Sequence, residues 1–203
     1  GFLTSFLENS SAILITQSEA LFLCDSRYIE QARGQVQGLD VEQIDGPLAK
    51  AAGERLHQLG VAKAAFDPAG FTIQEWGEIT ELFGGDTCPL PDLVSSQRRV
   101  KSREEVGLIC EASELAEGVL ADILPLLKPG VSEREIAARF EYEFKRRGAS
   151  GASFDTLVLF GPRSSLPHGQ PGDTRLKRGD VILLDFGCRR RGYCSDLTRT
   201  YAF

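Results

Sequence analysis

The sequence contains no methionine, one tryptophan and only two histidines. The missing methionine, together with an opening in Gly1-Phe2-Leu3 that has no polar lead-in, predicts a fragment truncated at both ends. The last residues, Thr200-Tyr201-Ala202-Phe203, read as a strand in progress. No run approaches the ~18 apolar residues of a membrane span, so no membrane partner is expected. A basic excess is also absent. Lys and Arg number 23 against 29 Asp and Glu, for a net charge of −6 and a pI of about 5.1. Such a chain cannot neutralise phosphates non-specifically, which excludes nucleic acid as a partner. The five cysteines (Cys24, Cys88, Cys110, Cys188, Cys194) are odd in number, scattered, and never spaced Cys-x-x-Cys. That excludes a disulfide framework or zinc knuckle and predicts reduced thiols in a cytoplasmic setting.

What remains is the composition of a globular protein, with 42% hydrophobic and 26% charged residues over 203 positions. The length allows one large domain or two small ones. Charge is uneven: residues 1–100 carry 7 basic and 14 acidic side chains, and residues 101–203 carry 16 and 15. The shift coincides with a change of pattern and places a domain boundary between residues 97 and 98.

Before that boundary, short apolar runs alternate with helical periods. Ser11–Cys24 reads as a hairpin, and Ser26 as the cap of a helix through Tyr28 and Ile29. Residues 39–44 and 62–66 read as strands, and 47–59 and 72–83 as helices with one apolar face. This succession predicts an α/β unit. Gly84-Gly85-Asp86 and Pro89-Leu90-Pro91 read as a break. Beyond it, Ser102-Arg103-Glu104-Glu105 and Ser132-Glu133-Arg134-Glu135 are capping-box signatures. The first opens a long helix with apolar positions from Val106 to Leu127, and the second a helix ending at Gly148. From there the pattern is β: residues 154–160, 181–187 and 193–201.

Chemistry is concentrated in the last forty residues. Val181–Gly187 and Tyr193–Thr198 form a predicted hairpin around Arg189-Arg190-Arg191-Gly192. A loop over 189–192 sets Asp185 directly opposite Asp196. Two carboxylates so placed repel unless one takes a proton or a cation lies between them. A hard divalent cation relieves the repulsion, because oxygen ligands suit it. The alternative is two solvent-facing aspartates, since a one-residue slip in register separates the pair. His168 stands in Leu166-Pro167-His168-Gly169-Gln170-Pro171, where two prolines fix the chain. Its imidazole there can shuttle a proton or bind a developing oxyanion, or it is a plain surface histidine. His57, within a predicted helix, reads as a surface residue.

Taken together, these residues resemble the Xaa-Pro aminopeptidase/dipeptidase (prolidase-like) branch of the pita-bread metallopeptidases. The matching stretches are Phe154-Asp155-Thr156, Gly161-Pro162, Leu166–Pro171, Leu176–Asp180, Asp185-Phe186-Gly187, Gly192-Tyr193 and Ser195–Thr200. Asp25–Ala32 is similar to a junction in the family's smaller creatinase-type domain. The resemblance implies an α/β fold: a creatinase-type α/β domain over residues 1–97, then the first half of a pita-bread α+β domain over residues 98–203.

The resemblance also implies hydrolysis of the bond before proline, in dipeptides or at peptide N-termini. In such enzymes two divalent metal ions, here expected to be manganese with cobalt or zinc as alternatives, are held by two Asp, one His and two Glu. Asp185 and Asp196 match the two Asp, and His168 matches a histidine that stabilises the transition state. The other three ligands lie beyond the Thr-Arg-Thr motif in the family, so two of five are expected here, with metal weakly held at most. The implied partners are a peptide with proline in second place and a second copy in a homodimer. The alternatives are a metal-independent creatinase-like hydrolase and a non-catalytic peptide-binding pita-bread module.

Overall fold

The run Ala20-Leu21-Phe22-Leu23-Cys24 lacks polar alternation, the pattern of a strand covered on both faces. In the computed structural model, which describes residues 11–203, it is a central strand. The apolar opening Gly1-Phe2-Leu3 lies outside the described residues. β2 (Ala20–Asp25) pairs antiparallel with β1 (Ser11–Ile15) and parallel with β3 (Asp40–Ile44). Leu21 and Leu23 pack on one face with Ala49, Ala52 and Ile79, while Phe22 and Cys24 pack on the other with Ile29, Ala32 and Val36. These partners come from α1 (Ile29–Gln35) and Val36 just after it, α2 (Leu48–Gln58) and α3 (Ile73–Phe83).

Two readings of this part are corrected. Ser26 caps no helix. The helix begins at Ile29 behind Tyr28, and the carboxylate of Asp25 instead accepts from the Arg27 backbone N–H at 2.9 Å. The predicted break after Gly84 holds two further elements. β5 (Asp86–Pro89) pairs parallel with β4 (Lys63–Phe66), and α4 (Leu93–Arg99) follows. A four-residue strand ending in proline carries too short a period to stand out from turn residues.

The chain passes from one compact unit to a second between Val100 and Lys101. In the second unit, Ser102 caps α5 (Arg103–Ile123) through the Glu105 backbone N–H, and Ser132 caps α6 (Glu133–Arg146) through that of Glu135. Both are full capping boxes, as the sequence predicts. α5 stops four residues short of Leu127, because Pro125 offers no N–H to continue it and a 3₁₀ turn takes over at Leu124–Leu126. Val106, on the predicted apolar face, is exposed in the first turn.

The core of this unit joins Ala112, Ala116, Val119 and Ile123 of α5 to Ile136, Phe140 and Phe144 of α6. The strands that complete it are β7 (Leu157–Phe160) and β8 (Val181–Phe186). β8 alternates, with Ile182, Leu184 and Phe186 fully buried, and Phe186 stacks on Phe140 at a centroid distance of 4.8 Å. Asp185, between Leu184 and Phe186, therefore belongs to the outward face.

β8 continues through Gly187 into β9 (Cys188–Arg190), turns, and returns as β10 (Tyr193–Cys194) and β11 (Leu197–Ala202). The long hairpin thus belongs to two small sheets, β11-β8-β7 and, with β6 (Gly151–Ala152), β10-β9-β6. It changes sheet at Gly187 and Ser195. The Ser195 hydroxyl accepts from the Cys188 N–H at 3.0 Å, and the Ser153 hydroxyl donates to the Ser195 carbonyl at 2.8 Å. A β-carbon on Gly187 would overlap that carbonyl, so the two strands meet here only because residue 187 has none.

α5 braces the hairpin along its length. The Tyr193 hydroxyl donates to Glu105 at 2.9 Å, Arg190 reaches Glu111 at 3.4 Å and Arg199 reaches Glu117 at 2.9 Å. The Ser102 backbone N–H and then the Tyr193 hydroxyl hold the Glu105 carboxyl down from 4.5 to about 2. Among the described residues no helix is long and apolar enough to cross a membrane.

Two outcomes are predicted. Gly187→Ala forces the strands apart and should cost about 1–3 kcal/mol, the range of an overpacked site, measured by urea unfolding. No loss would contradict the close approach. A depressed carboxyl contributes stability that is complete above its unfolded value and is lost as pH falls toward its folded value. The wild type should therefore lose stability relative to Glu105→Gln as pH falls from 4.5 to about 2, the window of the Glu105 shift. A constant difference across that window would contradict the two hydrogen bonds.

Candidate functional site

The hairpin turn sets where the two aspartates stand. Tyr193 pairs with Arg190 and Cys194 with Arg189, so the loop is only Arg191-Gly192. Both have positive φ, +49° and +84°, the geometry of a type I′ turn whose twist matches the strands. The predicted loop over 189–192 is therefore too long by two residues. Asp185 pairs with Thr198 and not with Asp196. Carried through the sheet change, the same register sets Asp196 opposite Gly187.

Asp196 lies two residues ahead of Thr198, on the diagonal to Asp185 along the outward face. In a regular ladder such a diagonal spans about 7–8 Å, against about 5 Å for direct opposition. This register eases the repulsion, because the carboxylates do not face each other squarely. Asp185 is half-buried and accepts from the Thr198 hydroxyl at 3.0 Å. That bond engages one oxygen, and among the described residues the other has no hydrogen-bond partner. Asp196 is exposed.

These carboxylates have the chemistry of hard-cation ligands, with oxygen donors on a rigid frame and free lone pairs. Among the described residues, no group of three or more His, Cys, Asp or Glu side chains is close enough to hold a metal. The aspartates fit as two members of a larger donor set.

His168 is exposed, on the segment that follows β7 and a 3₁₀ turn over Gly161–Ser165. Among the described residues no hydrogen bond or ion pair joins it to either aspartate. Beside it, Gly169 approaches the β7 side chain of Leu159 so closely that a β-carbon would clash. The loop is tied down by a residue that sequence reading assigned only to a capping box. Glu133, at the first position of α6, is fully buried. Its carboxylate accepts from the backbone N–H groups of Phe160 and Gly172, both at 2.9 Å, and from Arg163 Nε at 3.1 Å. Arg163 also donates through Nη2 to the Gln170 carbonyl at 2.6 Å. The only sequence signal was an acid in the first turn of a helix, which the helix dipole explains without further function.

Thr156, in the Phe154-Asp155-Thr156 stretch, is buried, and its hydroxyl has no hydrogen-bond partner among the described residues. The five cysteines are all unpaired. His57 is exposed on α2, with Nδ1 3.2 Å from the Phe83 carbonyl oxygen.

Known proteins resemble this chain in sequence and fold. Residues 107–203 match metallopeptidase family M24, and residues 1–100 match the creatinase/prolidase N-terminal domain. The uncharacterized peptidase YqhT of Bacillus subtilis (strain 168) is 34% identical over 202 residues, which cover 99% of this chain and 57% of that protein. Among solved structures, the Xaa-Pro dipeptidase from Bacillus anthracis superposes with a TM-score of 0.90 at 34% identity, over 97% of this chain and 56% of that one. The X-Pro aminopeptidase from Thermotoga maritima MSB8 gives 0.87 at 33% identity, over 95% and 55%. The chain spans about half the length of the curated relatives it matches. With one domain type in each half and the fold of the solved dipeptidase and aminopeptidase, the chain belongs to metallopeptidase family M24, in its creatinase/prolidase form.

Proposed function

We propose that this chain carries part of the machinery of a metal-dependent peptidase that cleaves the bond before proline, in dipeptides or at peptide N-termini. The observation that carries the reading is the pair Asp185 and Asp196, diagonal on one outward face of a braced hairpin. The names of the solved relatives support the Xaa-Pro assignment. On this reading the residues before the Val100–Lys101 junction, three past the boundary expected between 97 and 98, form a creatinase-type domain, and those after it form the first part of the catalytic domain. The unpaired thiols support a reducing, cytoplasmic setting.

Asp185 and Asp196 would hold the divalent ions, manganese first among the candidates, together with ligands outside the described residues. Such ions, when bound, lower the pKa of water toward neutrality and polarise a carbonyl oxygen. Thr198 holds the Asp185 carboxylate in a fixed orientation through its hydroxyl. That leaves Asp185 one oxygen pre-aimed, as ligands need a supporting partner to be effective. His168, exposed on a tied loop, would donate a hydrogen bond or a proton to oxygen charge that develops on the scissile carbonyl.

In the full-length protein, Asp196→Ala should lower kcat/KM on an Xaa-Pro peptide by at least roughly 10²-fold, more than the loss of a supporting residue costs. Xaa-Pro hydrolysis retained in that variant would contradict the assignment. Chelation should abolish the same activity and manganese should restore it. Undiminished activity after chelation would favour a creatinase-like hydrolase that needs no metal.

A further inference from the structure

We propose that Glu133 and Arg163 act as a clasp that positions His168, and so are positioning residues for the peptidase reaction. The proposal rests on the reading of His168 given above. The loop between β7 and β8 that carries His168 has little regular structure of its own. A loop of this kind moves unless its backbone is tied.

The ties converge on one carboxylate. Glu133 accepts from Phe160 N–H, where the loop begins, and from Gly172 N–H, four residues past His168. Arg163 donates through Nε to both Glu133 oxygens at 3.1 Å, and through Nη2 across the loop to Gln170. Glu133 therefore holds the chain on both sides of the imidazole, and Arg163 spans the gap between them. The carboxylate itself is anchored, because its residue opens α6 and its backbone N–H donates to the Thr174 carbonyl at 3.1 Å. The Arg134 N–H donates to the Gly172 carbonyl at 3.0 Å, which ties the same loop end to the next residue of the helix.

Geometry and burial distinguish this from an ordinary surface ion pair. Glu133 is 0% exposed, whereas the Arg163 side chain is 36% exposed. A fully buried carboxylate must have its lone pairs filled, and here two backbone groups and one guanidinium fill them. Glutamine at this site offers a single acceptor oxygen and turns an N–H₂ toward one of the donors. Lysine in place of Arg163 cannot span Glu133 and Gln170 with a planar fork. Neither Glu133 nor Arg163 touches the aspartates, so a change in either acts through the loop.

The chain has two histidines, one on each compact unit, so their imidazole signals in proton–carbon NMR are readily told apart. The test uses the 203-residue chain for NMR and the full-length protein for kinetics, with Glu133→Gln, Arg163→Lys and Ser132→Ala. Arg163→Lys alters a half-exposed residue and keeps the test open if Glu133→Gln fails to fold. Ser132→Ala removes the cap at the same helix start but no bond to the loop, and so controls for stability alone.

In Glu133→Gln and Arg163→Lys, the His168 signal should move and narrow while that of His57 stays in place. In both variants kcat should fall roughly ten- to hundredfold, as for a misplaced catalytic group, with KM changed less than about twofold. Ser132→Ala should lower the thermal midpoint and change neither the His168 signal nor kcat. A His168 signal unmoved in both clasp variants, or moved as far by Ser132→Ala, would overturn the clasp. Full activity in His168→Ala would instead overturn the reading of His168 on which the proposal rests, since the NMR signals judge the clasp independently.

Discussion

The arrangement of the outward face depends on the close approach of two backbones at Gly187 and Ser195. With no β-carbon at residue 187, the returning strand comes near enough for the Ser195 hydroxyl to take up the Cys188 N–H. That bond keeps the register unbroken while the hairpin passes from one small sheet to the other. The register then places Thr198 beside Asp185 and Asp196 on the diagonal. A wider passage would let β11 slide against β8, and a slide of one residue sends Asp196 to the other face.

Rigidity on the inner side serves the same end. Ile182, Leu184 and Phe186 are buried against α5 and α6, so β8 cannot rotate without exposing them. Burial of each such side chain contributes roughly 1.5–3 kcal/mol. The ion pairs from α5 to Arg190 and Arg199 are surface pairs of little energetic weight, but they fix the side of the hairpin that faces the helix. The Tyr193–Glu105 bond adds to this, because Glu105 is also bound by the Ser102 N–H at the helix start. Cap, helix and hairpin are linked through a single carboxylate. Glu133 repeats the device at the start of α6, where a first-turn acid reaches back to a distant loop.

The two long helices were legible because capping boxes and 3.6-residue periods are local signals, and β8 because Val181–Leu184 is a continuous apolar run between a turn and Asp185. The hairpin was legible as a hairpin but not in its register. Arg191 takes a position in the I′ turn where asparagine or aspartate is the usual residue, so nothing in the sequence announced a two-residue loop. β5 and α4 were hidden by their shortness and by the glycines and prolines around them. The ties of Glu133 join residues 27 and 39 positions apart, a relation that no local pattern encodes. The aspartates and His168 were singled out through motif spacing, and the physics of opposed carboxylates alone pointed to the same two aspartates through a register that proved to be two residues off.

The central claim is that Asp185 and Asp196 act together as metal ligands. Calorimetric titration of the 203-residue chain with manganese tests it most directly. The account predicts weak saturable binding that is lost alike in Asp185→Asn and Asp196→Asn, with Asp40→Asn as an unaffected control. Binding that is equal in the wild type and both site variants would contradict it.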